Sequence, residues 1–284
     1  MKNLNIFIDL TRLNKPIGFM LLFWPCSWGL AYSKINNQNL ELFLIYILLF
    51  FLGSVLMRSA GCIVNDIVDR DFDKQVYRTK QRPITSGKIS VKKSLVYVIA
   101  LCLLAFLVLI QFNFLTIVLG FASMILAFTY PYMKRFTYWP QLFLGLTFNW
   151  GVVMAYTAAN GSVDLEILVL YLSAIFWTLG YDTIYGVQDM ADDEIIGLKS
   201  TSIKFKNNIK LFVGLTYFLS VGILVYLFFN NLGLNLFSFL LLIFALSLFY
   251  QIKKFNKNKP EDCLYAFKIN NFSGLLLFLG IYSI

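Results

Sequence analysis

Two short stretches hold nine of the 15 acidic residues of this 284-residue chain. The first reads Asn65-Asp66-Ile67-Val68-Asp69-Arg70-Asp71-Phe72-Asp73. The second reads Tyr181-Asp182-Thr183-Ile184-Tyr185-Gly186-Val187-Gln188-Asp189-Met190-Ala191-Asp192-Asp193, with Glu194 after it. Offsets of three and seven put Asp66, Asp69 and Asp73 on one helical face, with Asn65 beside them. Asp182, Tyr185, Asp189 and Asp193 share a face in the same way, and 182 to 189 covers about 10 Å of helix. Carboxylates stacked on one face repel one another and call for a compensating cation. Oxygen-only donors, with neither cysteine nor histidine among them, suit Mg²⁺, which keeps waters and completes its shell with substrate phosphate. Asp66, Asp69, Asp73, Asp182, Asp189 and Asp193 are therefore the candidate metal ligands, and two facing clusters could hold two Mg²⁺ with a diphosphate between them. The plainer alternative is a pair of solvated helix ends, each balanced by neighbouring Lys and Arg; Asp182 weighs against it, because it closes a long apolar run where an unpaired charge is costly.

The basic residues beside these clusters fit the same chemistry. Arg78, Lys80 and Arg82 follow the first cluster in a loop closed by Pro83 and Gly87, and Lys199-Ser200-Thr201 follows the second. Guanidinium forks and ammonium charges are the usual partners of phosphate oxygens, which makes Arg78, Arg82 and Lys199 candidate phosphate contacts. Arg58 lies inside an apolar run about two turns before Asp66, so it is expected to face a cavity or a carboxylate, with snorkelling to the inner interface as the alternative. Histidine is absent, which removes imidazole catalysis and His-ligated metals. Cys26, Cys62, Cys102 and Cys263 have no metal-like spacing and read as small buried hydrophobes.

The elements that must position these groups are membrane spans. The chain is 59% hydrophobic and 18% aromatic, with a mean hydropathy of +0.71, a balance that a water-exposed globular surface cannot absorb. Repeated apolar runs, each long enough to cross about 30 Å of hydrocarbon, define an all-α polytopic class rather than a β-barrel. Nine spans are expected, at 17–34, 41–62, 94–111, 114–131, 140–159, 165–187, 211–229, 232–250 and 265–284, forming a single transmembrane domain over 1–284. The first run is read as mature structure rather than a signal peptide, being too long and lacking a small-residue cleavage site. The net charge of +9 follows topology rather than nucleic acid. With the N-terminus cytoplasmic, Lys34 is the one cation of 24 placed outside and Arg58 the one within a span. Nine crossings then leave the C-terminus on the opposite side, and both acidic clusters lie inside.

At these residues the sequence resembles the UbiA superfamily of intramembrane prenyltransferases. The paired motifs Asn65-Asp66-x-x-Asp69-x-x-x-Asp73 and Asp182-x-x-Tyr185-x-x-x-Asp189 carry the resemblance, with Arg12 to Gly18, Trp24-Pro25, Arg58 to Cys62, Arg78 to Gly87, Lys199 to Thr201 and Asn270-Asn271. The stretch Tyr130 to Pro140 points to the branch acting on 4-hydroxybenzoate in ubiquinone biosynthesis. The resemblance implies nine helices around a central cavity, capped on the cytoplasmic side and open laterally to lipid, in a cell inner membrane. It implies Mg²⁺-dependent transfer of a polyprenyl group from its diphosphate onto the ring carbon ortho to the phenol. In that reaction Tyr185 shelters the allylic cation, ahead of Trp150 and Tyr156, and Lys134, Arg135 or Arg58 receives the acceptor carboxylate. Asp189 is a candidate base, not separable here from its role at the metal. Dihydroxynaphthoate and homogentisate are the alternative acceptors, and a cation transporter is the competing class, disfavoured because the aspartates sit at helix ends rather than mid-span. Donor length and oligomeric state are left open.

Overall fold

The computed structural model describes residues 2–77 and 79–284, and all its regular structure is helical. The first half contains α1 (Lys2–Thr11), α2 (Ile17–Tyr32), α3 (Ile35–Gln38), α4 (Leu40–Val68), α5 (Arg70–Asp73), α6 (Val91–Leu109) and α7 (Phe114–Thr129). The second contains α8 (Met133–Phe136), α9 (Pro140–Asn160), α10 (Leu165–Gly186), α11 (Met190–Ile195), α12 (Thr201–Lys204), α13 (Ile209–Leu227), α14 (Leu236–Lys254) and α15 (Pro260–Tyr282). Helices dominate because hydrocarbon offers backbone N–H and C=O groups no partner outside the segment itself.

Among the described residues, eight helices are long and apolar enough to cross a membrane, and α2, with 16 residues, is a shorter apolar helix. The first expected span, 17–34, is thus present but stops at Tyr32. It is wedged against α4, α9 and α15. Two glycines make this wedge possible: a Cβ on Gly29 would collide with the Val152 carbonyl, and one on Gly274 with the Trp24 ring. Trp28 donates to the Gly274 carbonyl at 2.9 Å, and Trp24 to Asn271 at 2.8 Å.

Helices α10, α13, α14 and α15 form the dense side of the bundle. A buried polar network ties them, with Trp177 Nε1 donating to Asn270 Oδ1 at 2.8 Å, Asn270 Nδ2 to Gln251 Oε1 at 2.9 Å and Tyr217 OH to Gln251 Oε1 at 2.6 Å. Small and amide-bearing residues at such contacts replace the hydrophobic drive that is absent between helices in lipid. Helices α4, α6, α7 and α9 enclose the other side less tightly. α6 and α7 touch near their short connection, at Leu109 against Gly120 and at Phe106 against Phe121. A cavity of about 1680 Å³ occupies the space these walls leave open.

Candidate active site

Helix α4 carries the first acidic cluster to the inner end of the cavity. Its last residue is Val68, and the backbone then bends at Asp69 into α5 without losing its hydrogen bonding: Asp69 N donates to the Asn65 carbonyl at 2.9 Å and Asp73 N to the Asp69 carbonyl at 2.8 Å. Asp66, Asp69 and Asp73 are all buried and all line the cavity, as does Asn65. Three segments outside α4 and α5 supply their counter-charges. Arg12 Nη2 lies 2.6 Å from Asp66, Arg82 Nη1 bridges Asp66 at 3.0 Å and Asp73 at 2.7 Å, and Lys134 Nζ lies 2.6 Å from Asp69. Burial pushes the Asp73 carboxyl above the ordinary carboxylate range, against the pull of Arg82. Asp71 points the other way, exposed and paired with Lys74 at 2.8 Å.

The second cluster is built differently. α10 ends at Gly186, and the chain then tightens, with Gln188 N bonding the Tyr185 carbonyl at 3.2 Å and Asp189 N the Gly186 carbonyl at 3.3 Å. The expectation of one continuous helical face over 182–193 is corrected by this turn, which separates α10 from α11. Gly186, the last residue of α10, packs closely there: a Cβ would stand 2.7 Å from Ser202 Oγ and 3.2 Å from Gln141 Nε2. Asp182, Tyr185, Asp189 and Asp193 nevertheless all line the cavity. The Tyr185 ring packs on Phe267 at 4.6 Å between centroids.

Arg58 also lines the cavity, with its guanidinium 5.2 Å above the Phe148 ring and its buried Nε without a hydrogen-bond partner. The carboxylate Oδ1 of Asp69 is likewise buried and accepts no hydrogen bond, with Arg135 Nη2 3.8 Å away. Orphaned buried polar atoms are rare in folded proteins, and both residues line the same cavity.

Other candidate residues take different places. Lys134 lines the cavity, whereas Arg135 donates to the Val68 carbonyl at 2.8 Å and stacks between Phe72 and Tyr132, bracing the end of α4. Lys199 Nζ donates to the Phe136 carbonyl at 3.3 Å and lies over the Tyr138 ring, away from the cavity lining. Arg78 lies outside the described residues. Trp150 lines the cavity, and Tyr156 bonds Asp164 near the ends of α9 and α10, outside the lining. Sequence reasoning missed Arg12 as a site residue, although it opens the quoted Arg12 to Gly18 stretch. Its φ of 57° is left-handed, a conformation costing a non-glycine residue about 1–2 kcal/mol, and it aims the guanidinium at Asp66. It also missed Lys268, another cation on the cavity wall.

The donor set is compatible with a hard divalent cation. Every candidate ligand is a carboxylate oxygen, yet among the described residues no three such groups converge to cage an ion by themselves. That pattern fits an ion that keeps water and takes oxygens from a substrate. Below this charged end the walls turn to hydrocarbon and aromatic groups, including Cys26, Phe50, Phe106, Phe112, Met124 and Met154.

A model of the UbiA prenyltransferase family matches residues 22–273. The chain is 44% identical over 276 residues to a mitochondrial 4-hydroxybenzoate polyprenyltransferase of Bos taurus, covering 97% of this chain and 74% of that protein. It is 40% identical over 282 residues to a 4-hydroxybenzoate octaprenyltransferase of Alkalilimnicola ehrlichii, covering 97% and 92%. Its fold matches the apo structure of a UbiA homolog from Aeropyrum pernix K1 with a TM-score of 0.77 at 23% identity, over 92% of this chain and 96% of that one. It also matches a UbiA homolog from Archaeoglobus fulgidus bound to GPP and Mg²⁺, with a TM-score of 0.71 at 18% identity, over 98% and 100%.

Proposed function

The chain belongs to the UbiA prenyltransferase family, and on that premise we propose that it moves a polyprenyl group from its diphosphate onto 4-hydroxybenzoate, ortho to the hydroxyl, in ubiquinone biosynthesis. The observation that carries the reading is a single cavity with acidic and cationic groups at one end and hydrocarbon walls below. A prenyl diphosphate has the same division along its length.

The Asp66, Asp69 and Asp73 group and the Asp182, Asp189 and Asp193 group would hold two Mg²⁺, by their all-oxygen donors and their place on one cavity. Bound there, Mg²⁺ neutralises the diphosphate and the charge that grows as it leaves. The chain's own residues do the rest. Arg82, whose Nη1 donates to both Asp66 and Asp73, fixes the carboxylates in one orientation before substrate arrives, and Arg12 and Lys134 hold Asp66 and Asp69. Arg78 and Lys199 stand as phosphate contacts on the sequence pattern alone. Arg58 is best placed for the acceptor carboxylate, since its Nε is buried and unpartnered while Arg135 and Lys134 are engaged at the end of α4. The Tyr185 ring, backed by Phe267, presents a π face where positive charge develops on the allylic carbon. The allylic C–O bond breaks, the ring carbon forms the new C–C bond, and the displaced ring proton leaves to a base, with Asp189 a candidate. The apolar walls keep water from the cation.

The enzyme's place is a cell inner membrane, with its acidic end and N-terminus cytoplasmic and its C-terminus opposite. Crowding of lysines and arginines on the side of the acidic clusters supports that orientation. The test uses protein in liposomes with a polyprenyl diphosphate, Mg²⁺ and 4-hydroxybenzoate, beside Asp66→Ala and Asp182→Ala, with product detected by mass. A 3-prenylated acid lost on EDTA treatment and in both variants is the expected result. Product only with another aromatic acid would overturn the acceptor; no prenyl transfer to any acceptor would overturn the reaction.

A further inference from the structure

Most helical glycines in this bundle are explained by a neighbour that leaves no room for a Cβ, as at Gly29, Gly145 and Gly180. Gly53 is not. It lies within α4 on the cavity wall, and a Cβ there would have only Val108 Cγ1 near it, at 4.0 Å. Glycine weakens a helix interior, so its presence without a packing reason points to the space in front of it.

The surroundings show what that space is for. Gly53 lies 13 residues before Asp66, about 20 Å along the helix at 1.5 Å per residue. Three residues further on, Phe50 stacks on Phe112 at 4.6 Å between centroids, and both are buried and line the cavity. Tyr46 backs Phe112 edge-on at 5.3 Å, and Asn113 Nδ2 pins the α6–α7 connection to the Thr157 carbonyl at 2.8 Å. Along α4 the cavity lining ends at Leu49 and Phe50. These groups close the apolar end, and Gly53 is the last position of α4 before the floor at which the wall has no side chain.

We propose that Gly53 is a specificity-determining residue for donor length, its missing side chain leaving the passage by which the fourth and later isoprene units reach the floor at Phe50 and Phe112. The inference rests on the prenyl-transfer reading. An extended chain advances about 1.2 Å per bond, the reach implied by about 3.5 Å per three-bond residue, so each four-bond isoprene unit covers about 5 Å. Two units measured from the acidic end stop about 10 Å short of Gly53, and four reach it.

The experiment compares geranyl with geranylgeranyl diphosphate, each with Mg²⁺ and 4-hydroxybenzoate, in wild type and in Gly53→Ala, Gly53→Val and Gly53→Leu, with the melting temperature of each protein measured alongside. The ratio of kcat/KM for the longer donor to that for the shorter is expected to fall with side-chain size, by less than about threefold for Ala and by about tenfold or more for Leu, at unchanged kcat/KM for geranyl diphosphate. An unchanged ratio, or an equal loss with both donors, overturns the proposal. So does a Gly53→Val protein that no longer folds, because the space in front of Gly53 would then not be open. Wild type inactive with both donors would instead refute the prenyl-transfer reading and, with it, the basis for this one.

Discussion

The two acidic corners are built by different means. At the α4–α5 corner each buried aspartate is held by a cation from outside helices α4 and α5: Arg12 and Arg82 on Asp66, Arg82 on Asp73, and Lys134 on Asp69. At the α10–α11 corner the backbone makes a tight turn after α10, with Gly186 packed against Ser202 and Gln141. Breaking the ion pairs of the first corner should reach stability as well as activity, whereas disturbing the turn of the second should fall on activity.

The largest test of that contrast pairs Asp66→Ala with Asp182→Ala. Both should lose about 10²-fold or more in kcat/KM. Only Asp66→Ala should also melt several degrees lower, because it leaves Arg12 and Arg82 side by side without their shared counter-charge. Equal melting temperatures for the two variants would break the distinction.

Arg82→Lys comes next. Arg82 reaches both Asp66 and Asp73 through one nitrogen, Nη1, and a lysine ammonium is a shorter-reaching point charge that must shift to make both contacts. Steady-state kinetics should show a loss of about 10–100-fold, with a small fall in melting temperature. Wild-type kinetics would mean that a point charge at this position is enough to organise the corner.

Gly186→Ala probes the other corner with one methyl group. The new Cβ must displace Ser202 Oγ or shift the turn that carries Asp189. A loss of about tenfold in kcat/KM is expected from misplacement alone, and full activity would show that the turn absorbs the change.

The smallest effect belongs to Asp71→Asn. This aspartate lies within the first motif, yet its side chain is 83% exposed and faces Lys74. Rates within about twofold of wild type are expected, since exposed pairs contribute little. A large loss would place Asp71 in the site after all.

The elements themselves were legible in the sequence because apolar run length reports directly on a membrane crossing. α4 and α10 occupy the expected runs and deliver the two clusters to one cavity. Local rules failed where the contact is long-range. Arg12 and Asp66 are 54 positions apart, so no helical offset connects them. Lys199 reads as a phosphate contact from its neighbours in sequence, and in the structure its side chain lies at Phe136 and Tyr138. Asn270 and Asn271 carry part of the family resemblance; their amides bind Gln251, Trp177 and Trp24 and hold helices together.

The sequence by itself determined the class, the spans and the identity of the two acidic motifs, because hydropathy and residue spacing act along the chain. Only the tertiary structure decided which cation neutralises which aspartate, where the α10 helix gives way to a turn, and where the cavity ends at Phe50 and Phe112. Those outcomes depend on distances between helices, and helix packing is set by the shapes of side chains that meet across the bundle rather than by their order along it.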